Sequence, residues 1–218
     1  MTRNVRTYDH FCLVSRALER VGDRWTLLVI RDLLTGPNRF SDLADRLGGI
    51  TPKTLSQRLR ELEDAGLVTV DREPGRREVR YRLTPAGTDL APVVDALGKW
   101  GLRHAWRRPR PGEPLHAEHV LRAVTQAAEL AGADHRPTRW HFHVDGEDWL
   151  VVGDGRGWSL TAGAPTTPVD VTITAATGAL AAFLFARSES DVDITGDAGP
   201  VRQFRRMADT VAAAVEPA

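Results

Sequence analysis

The chain has 218 residues, 42% of them hydrophobic, and its 29 Lys+Arg are matched by 29 Asp+Glu. This length suits one large or two small domains, and the apolar share is enough for a packed core. No run nears the roughly 18 apolar residues of a membrane helix, Met1 to Asp9 has no signal-peptide apolar stretch, and a lone cysteine, Cys12, allows no internal disulfide; the expectation is a cytoplasmic protein with no membrane partner.

The neutral total hides a division. Residues 1–112 hold 21 Lys+Arg against 14 Asp+Glu, whereas residues 113–218 hold 8 against 15. The first half therefore suits a phosphate-bearing partner and the second does not. Lys53 and Lys99 are the only lysines among many arginines and alanines, a usage that points to a high-GC bacterial genome.

In chain order, Phe11, Val14, Leu18 and Val21 recur at helical spacing, and Gly22 breaks the run. Asp23 is the expected N-cap of a second, buried helix carrying Trp25, Leu28, Val29 and Leu33. Gly36-Pro37 ends it. Ser41 is the expected cap of a short helix with Leu43, Ala44 and Leu47 inward. After the Gly48-Gly49 turn, Thr51-Pro52 opens the next helix with a capping hydroxyl and a proline at the first helical position. Its Leu55, Leu59 and Leu62 fall within about 60° on a helical wheel, and Gly66 suits the left-handed residue past its end. Leu67 to Asp71 reads as a strand, Glu73-Pro74-Gly75-Arg76 as a turn, and Val79, Tyr81 and Leu83 as a half-exposed return strand. Thr84-Pro85 repeats the cap-plus-proline signal ahead of one long helix with Leu90, Val93, Val94, Leu97 and Trp100.

Arg107 to Pro114 has three prolines and no apolar residue able to pack, so it is the expected linker. The domains expected are residues 1–106, a linker at 107–114, and residues 115–218. In the second half His116 to Ala131 fits an amphipathic helix. Trp140, Phe142 and Val144 alternate with Arg139, His141 and His143, as strands do. Asp145-Gly146 and Asp154-Gly155 turn the chain, and strands follow at Trp149 to Val152, Trp158 to Thr161 and Val169 to Thr174. A helix near Thr177 to Arg187, a strand at Val192 to Thr195 and a helix at Pro200 to Val215 complete an α+β pattern.

The chemistry concentrates in the helix after Thr51. With its leucines inward, Lys53, Gln57 and Arg60 face directly away, and Thr54 and Arg58 lie on the flank. Base edges are read mainly from the first turns of a recognition helix, so Lys53, Thr54, Gln57 and Arg58 are the expected readers; Gln suits adenine and Arg suits guanine. Thr51 and the helix N-terminus suit a phosphate, and Arg39 is a further DNA-binding candidate. Arg76 and Arg77 at the hairpin tip, with Arg72, Arg80 and Arg82 nearby, make a basic wing for a minor groove or flanking phosphates. A polar face that only solvates the helix is the plain alternative. Helix, turn, helix, basic hairpin and local charge excess together favour double-stranded DNA as the partner.

Three runs carry a resemblance: Gly22-Asp23-Arg24-Trp25-Thr26-Leu27-Leu28, Gly36-Pro37-Asn38-Arg39-Phe40-Ser41-Asp42-Leu43, and Ile50 through Leu62. With Tyr81-Arg82-Leu83-Thr84-Pro85-Ala86-Gly87 and Trp100-Gly101 they resemble the HxlR family of winged-helix regulators, related to MarR-type proteins, over about residues 10–105. The resemblance implies a winged helix-turn-helix domain and a homodimer formed through the first helix and the long helix after the wing, with Phe11, Val14, Leu90, Val94, Leu97 and Trp100 as dimer residues. It also implies a cysteine near the start that some relatives use to sense electrophiles. The family pattern there is Cys-Pro, but Leu13 follows Cys12. Cys12 therefore has two readings, a redox sensor and a small buried apolar group.

The order of strands and helices after residue 115, with Pro168-Val169-Asp170-Val171-Thr172-Ile173-Thr174 and Gly196-Asp197, is similar to the sterol-carrier-protein type 2 domain. That resemblance implies a five-stranded, antiparallel-rich sheet with helices around an apolar cavity. Trp140, Phe142, Trp149, Trp158, Phe183 and Phe204 are the candidate ligand-binding residues, and filling the core is their alternative role. His141, His143 and His135 suggest a metal, but no carboxylate or cysteine completes them at a useful spacing, so no metal is expected.

No nucleophile elbow, phosphate-cradling glycine loop or metal-ligand helix occurs, so neither catalysis nor a cofactor is expected. The leading expectation is an α+β, DNA-binding transcriptional regulator. It binds a palindromic operator as a homodimer and answers to an apolar small-molecule effector in its second domain. One alternative keeps the regulator but gives that domain only oligomerisation or protein contacts. The other is a lipid-binding or transfer protein with a degenerate winged helix.

Overall fold

A computed structural model describes residues 7–72, 79–110, 112–132, 136–188 and 191–215. The chain divides into two compact units, Met1–Val94 and Asp95–Ala218. The turn at residues 73–76, the wing arginines Arg76 and Arg77, and His135 lie outside the described residues.

The N-terminal unit runs α1 (Leu13–Val21), α2 (Thr26–Leu33), β1 (Asn38–Arg39), α3 (Phe40–Leu47), α4 (Pro52–Asp64), β2 (Val68–Arg72), β3 (Val79–Leu83) and α5 (Pro85–Thr88). Its sheet has the order β1-β3-β2, all antiparallel. Val29, Ile30, Leu43, Leu55, Leu59 and Leu62 form an aliphatic core from three helices. These are the residues that helical spacing turned inward, and their burial is the main stabilising term.

Local chemistry differs from expectation at three places. Asn38 and Arg39 pair with Tyr81 and Arg80 to make β1, a strand too short to show a period of two. Because Arg39 is thereby extended, α3 begins one residue before Ser41, and Asp42 Oδ2 accepts the Arg39 backbone N–H at 3.0 Å. Ser41 is inside the helix, not its cap. Asp23 Oδ1 accepts from the Trp25 N–H at 2.9 Å in the turn before α2, three residues ahead of the first helical residue. The long helix after Thr84 is two helices: α5 ends at Thr88 and α6 runs Ala91–His104. Pro92 has no N–H to continue α5, and its ring crowds the carbonyl a turn before it, so the helix must restart.

The division between units falls inside α6, ahead of the expected linker. Gln126 Nε2 donates to Asp95 Oδ1 at 3.0 Å, Lys99 Nζ lies 2.5 Å from Glu129, and Leu102 and Trp106 pack on the C-terminal core. Arg107 to Pro114 therefore belongs to the second unit. There Glu113 accepts from the Arg107 guanidinium at 2.7 Å and from the Arg110 backbone N–H at 2.8 Å. Proline content alone does not make a linker when an ion pair closes the segment.

The C-terminal unit continues with α7 (Ala117–Leu130), β4 (Thr138–Val144), β5 (Glu147–Gly153), β6 (Trp158–Ala162), β7 (Val171–Ala175), α8 (Thr177–Ala186), β8 (Val192–Gly196) and α9 (Ala198–Val215). Its five strands are ordered β6-β5-β4-β7-β8; β4 and β7 are parallel and the other pairs antiparallel. Strand β4 alternates buried Trp140, Phe142 and Val144 with half-buried Arg139, His141 and His143. The buried face packs with residues of α7, α8 and α9. Asp145 and Gly146, both at positive φ, turn β4 into β5. The Asp145 carboxylate then accepts from the Thr177 hydroxyl at 2.6 Å and its backbone N–H at 3.2 Å. It caps α8, whose own N-cap residue, Ala176, has no side chain able to do so.

Candidate nucleic-acid interface

Helices α3 and α4, joined by Gly48 and Gly49 at φ 51° and 49°, present the candidate surface. Thr51 Oγ1 accepts the Thr54 backbone N–H at 3.2 Å and lies 2.8 Å from the Thr54 hydroxyl, so the expected cap forms and holds Thr54 against it. Leu55, Leu59 and Leu62 are buried, while Lys53, Gln57 and Arg60 are exposed along the opposite side. Arg39, at the N-cap of α3, is exposed, as are Arg80 and Arg82 on β3.

The charge order along α4 runs against its own macrodipole. The first turn has Lys53 and no acid; the last residues are Glu61, Glu63 and Asp64, with no base. Cations at a helix N-terminus and anions at its C-terminus are each unfavourable for the helix alone. The positive end of α4 is thus left without an acidic side chain in its own first turn.

Arg58 is differently placed from Lys53 and Gln57. Its side chain is 15% exposed; Nη2 lies 3.0 Å from Asp23 Oδ2, and Nη1 donates to Glu61 Oε2. Gln57 Nε2 donates to the other oxygen of Glu61 at 3.1 Å. Glu61 thus orients both side chains. The spacings from 57 and 58 to 61 are those at which helical neighbours meet, so this link was readable. The Asp23 link was not, because it joins two elements 35 positions apart.

The residues expected at a dimer interface separate into two groups. Phe11, Val14, Leu97 and Trp100 are exposed, as are Leu13 and Leu18 beside them in sequence. Val94 is buried in the N-terminal core and Leu90 is half-buried against it. Cys12 is half-buried at the N-cap of α1. The backbone N–H and hydroxyl of Ser15 hold its thiol below the usual cysteine range.

The six aromatics named as candidate ligand-binding residues belong to one hydrophobic cluster, and five of them make ring contacts with one another. Trp140, Phe142, Trp149, Phe183 and Phe204 are buried, and Trp158 packs on them. Trp140 lies 4.7 Å from Trp158 and 5.2 Å from Phe204 between ring centroids; Phe142 and Phe183 lie 5.9 and 6.0 Å from Phe204. These separations are those of packed aromatic pairs, so the rings are core. A pocket of about 430 Å³ lies elsewhere in this unit and has none of the six in its walls. On the outer sheet face His141 Nε2 and His143 Nδ1 each lie 2.8 Å from Asp148 Oδ1. The β4–β5 register supplies the carboxylate that linear spacing did not.

The profile of the HxlR-like helix-turn-helix family matches residues 20–109. An HTH-type transcriptional regulator of Mycobacterium tuberculosis is 46% identical over 110 residues, 49% of this chain and 66% of that protein, just under two thirds of its length. One from Methanothermobacter thermautotrophicus is 35% identical over 106 residues, 48% of this chain and 81% of that protein. A solved structure from Porphyromonas gingivalis W83, described as a transcriptional regulator of the MarR family, is 30% identical and covers 44% of this chain and 95% of its own, with a TM-score of 0.42. The relatives are regulators, not enzymes. By its 35% identity to a relative of which it covers 81%, in agreement with the profile match, the chain belongs to the HxlR-like helix-turn-helix family.

Proposed function

We propose that this protein is a transcriptional regulator that binds a palindromic double-stranded DNA operator as a homodimer. The observation that carries the reading is α4: an N-terminal end with an exposed lysine and glutamine, a buried leucine stripe behind it, and a charge order that opposes the helix dipole. Lys53, Thr54 and Gln57 meet base edges in the major groove, and Thr51, Arg39 and the wing arginines Arg76 and Arg77 meet phosphates. Arg58 is a positioning residue, holding α4 to the turn before α2 through Asp23.

The dimer uses the apolar side chains that α1 and α6 leave in water, among them Phe11, Val14, Leu97 and Trp100. The second unit is of sterol-carrier type, supported by its five-stranded sheet with helices packed on the buried face. A DNA-reading role sets the protein in the cytoplasm. Among the described residues no helix is long and apolar enough to cross a membrane.

Fluorescence anisotropy with fragments from upstream of its own gene tests the reading. Specific binding is expected to a palindrome whose half-sites lie one helical turn apart, about 34–36 Å. Combined Lys53→Ala and Gln57→Ala substitution removes sequence preference and leaves the dimer folded; retained preference would refute α4 as the reader. Arg76→Ala with Arg77→Ala weakens binding to all sequences and flattens its salt dependence.

A further inference from the structure

We infer that the pocket beside Trp106 in the Asp95–Ala218 unit is a binding site for an uncharged, flat aromatic small molecule. This goes beyond the DNA-binding reading and does not depend on it. The pocket, about 430 Å³, is within the size range of small-ligand sites, roughly 300–1,000 Å³. Its walls come from α6, α7, α8 and the Arg107–Pro114 segment, with Leu102, Trp106, Val120 and Phe185 supplying apolar surface. Trp106 and Phe185 lie 4.9 Å apart between ring centroids with their planes inclined at 53°. Such a pair presents faces and edges on which a third ring can pack.

The rim argues for a neutral occupant. Its opposed charges, Arg107 and Glu113, satisfy each other, at 2.7 and 2.5 Å, and Glu113 also takes the Arg110 backbone N–H at 2.8 Å. A carboxylate ligand would have to displace Glu113 from both donors. The Gln126 amide, also on the wall, is held by Asp95 at 3.0 Å.

Two glycines of α6 separate packing from vacancy. A Cβ on Gly98 would fall 2.4 Å from the Gln126 amide, the end of a flexible side chain of α7. A Cβ on Gly101 would meet nothing within 4 Å. Glycine is the poorest helix former after proline, and among the described residues no neighbour crowds Gly101. What its missing side chain preserves is open volume in the pocket wall.

The experiment uses the full chain and the neutral dye N-phenyl-1-naphthylamine, followed by its fluorescence enhancement and by energy transfer from tryptophan. Saturable binding at one site per chain is expected. Gly101→Leu, which places a side chain in the open space, weakens it at least tenfold while raising the melting temperature, because leucine is the better helix former. Absence of saturable binding, or equal binding by Gly101→Leu, overturns the site. So does a change of sedimenting mass in Gly101→Leu, which would make a second copy the occupant. None of these readouts involves DNA, so failure here leaves the operator reading standing, and failure of operator binding leaves this site standing.

Discussion

Large apolar side chains have opposite fates at the two ends of the chain. In the Met1–Val94 unit the core is aliphatic, with Leu43, Leu55, Leu59 and Leu62 no more than 2% exposed, yet Phe11, Leu13 and Val14 around α1 are 67–83% exposed. In the Asp95–Ala218 unit Trp140, Phe142 and Phe204 are wholly buried, and the exposed large apolar groups, Leu97, Trp100 and Leu115, lie before α7. Both sets are spaced for burial. What differs is whether the fold supplies a neighbour. An apolar stripe without one stays in water, as on α1, whereas one with neighbours becomes core, as on β4.

The largest effect that sharpens this contrast is expected at Phe204. Phe204→Ala opens a hole among Trp140, Phe142 and Phe183 and costs about 3–5 kcal/mol, read as a lower denaturation midpoint by near-ultraviolet circular dichroism. A loss below about 1 kcal/mol would mean these rings line a space that tolerates truncation. Next comes the exposed face of α4. Lys53→Ala and Gln57→Ala each remove about 1–3 kcal/mol of specific DNA binding with no change in melting temperature; a fall in stability would make them structural. Smaller again is Thr51→Ala, which deletes the α4 cap and costs about 1 kcal/mol in a urea titration.

The smallest effects are ionic. The folded-state carboxyls of Asp148 and Glu113 titrate below their ordinary range, Asp148 through hydrogen bonds with His143 and His141, Glu113 down to about 2 through Arg107 and the Arg110 N–H. A depressed carboxyl stabilises above its unfolded value, about 4, and loses that contribution as pH falls through the folded value. The C-terminal unit therefore weakens between about pH 4 and pH 2. Asp148→Asn and Glu113→Gln flatten that slope in acid urea titrations, and an unchanged slope would show that neither bond persists in solution. At α1, Cys12 is expected to alkylate faster with iodoacetamide near neutral pH than it does in denatured protein; Ser15→Ala, which deletes the hydroxyl and keeps the backbone N–H, should reduce the advantage without abolishing it.

Much of the N-terminal architecture was legible because its signals are local. Thr51 with Pro52, the leucine period of α4 and the alternation of Val79, Tyr81 and Leu83 each act over a few residues. The exposure of Lys53 and Gln57 follows from the same period. Arg58 was harder, since its partner Asp23 comes from the turn before another helix. Strand β1 was not readable, because two residues have no period and exist as a strand only when β3 is beside them.

In the second unit the alternation of β4 named Trp140 and Phe142 as inward but not what they would face. A packed core and an apolar cavity ask for the same residues in one dimension. Sequence by itself determined which side chains share a face, through helical and strand periods, and where helices start, through caps and prolines. Tertiary structure alone decided which buried faces meet. It closed the aromatics on Phe204, brought Asp148 to two histidines, folded the proline-rich segment onto Glu113, and left open volume at Gly101. The closure on Phe204 joins residues far apart in the chain, and hydrophobic pattern carries the direction of a side chain without the identity of its neighbour.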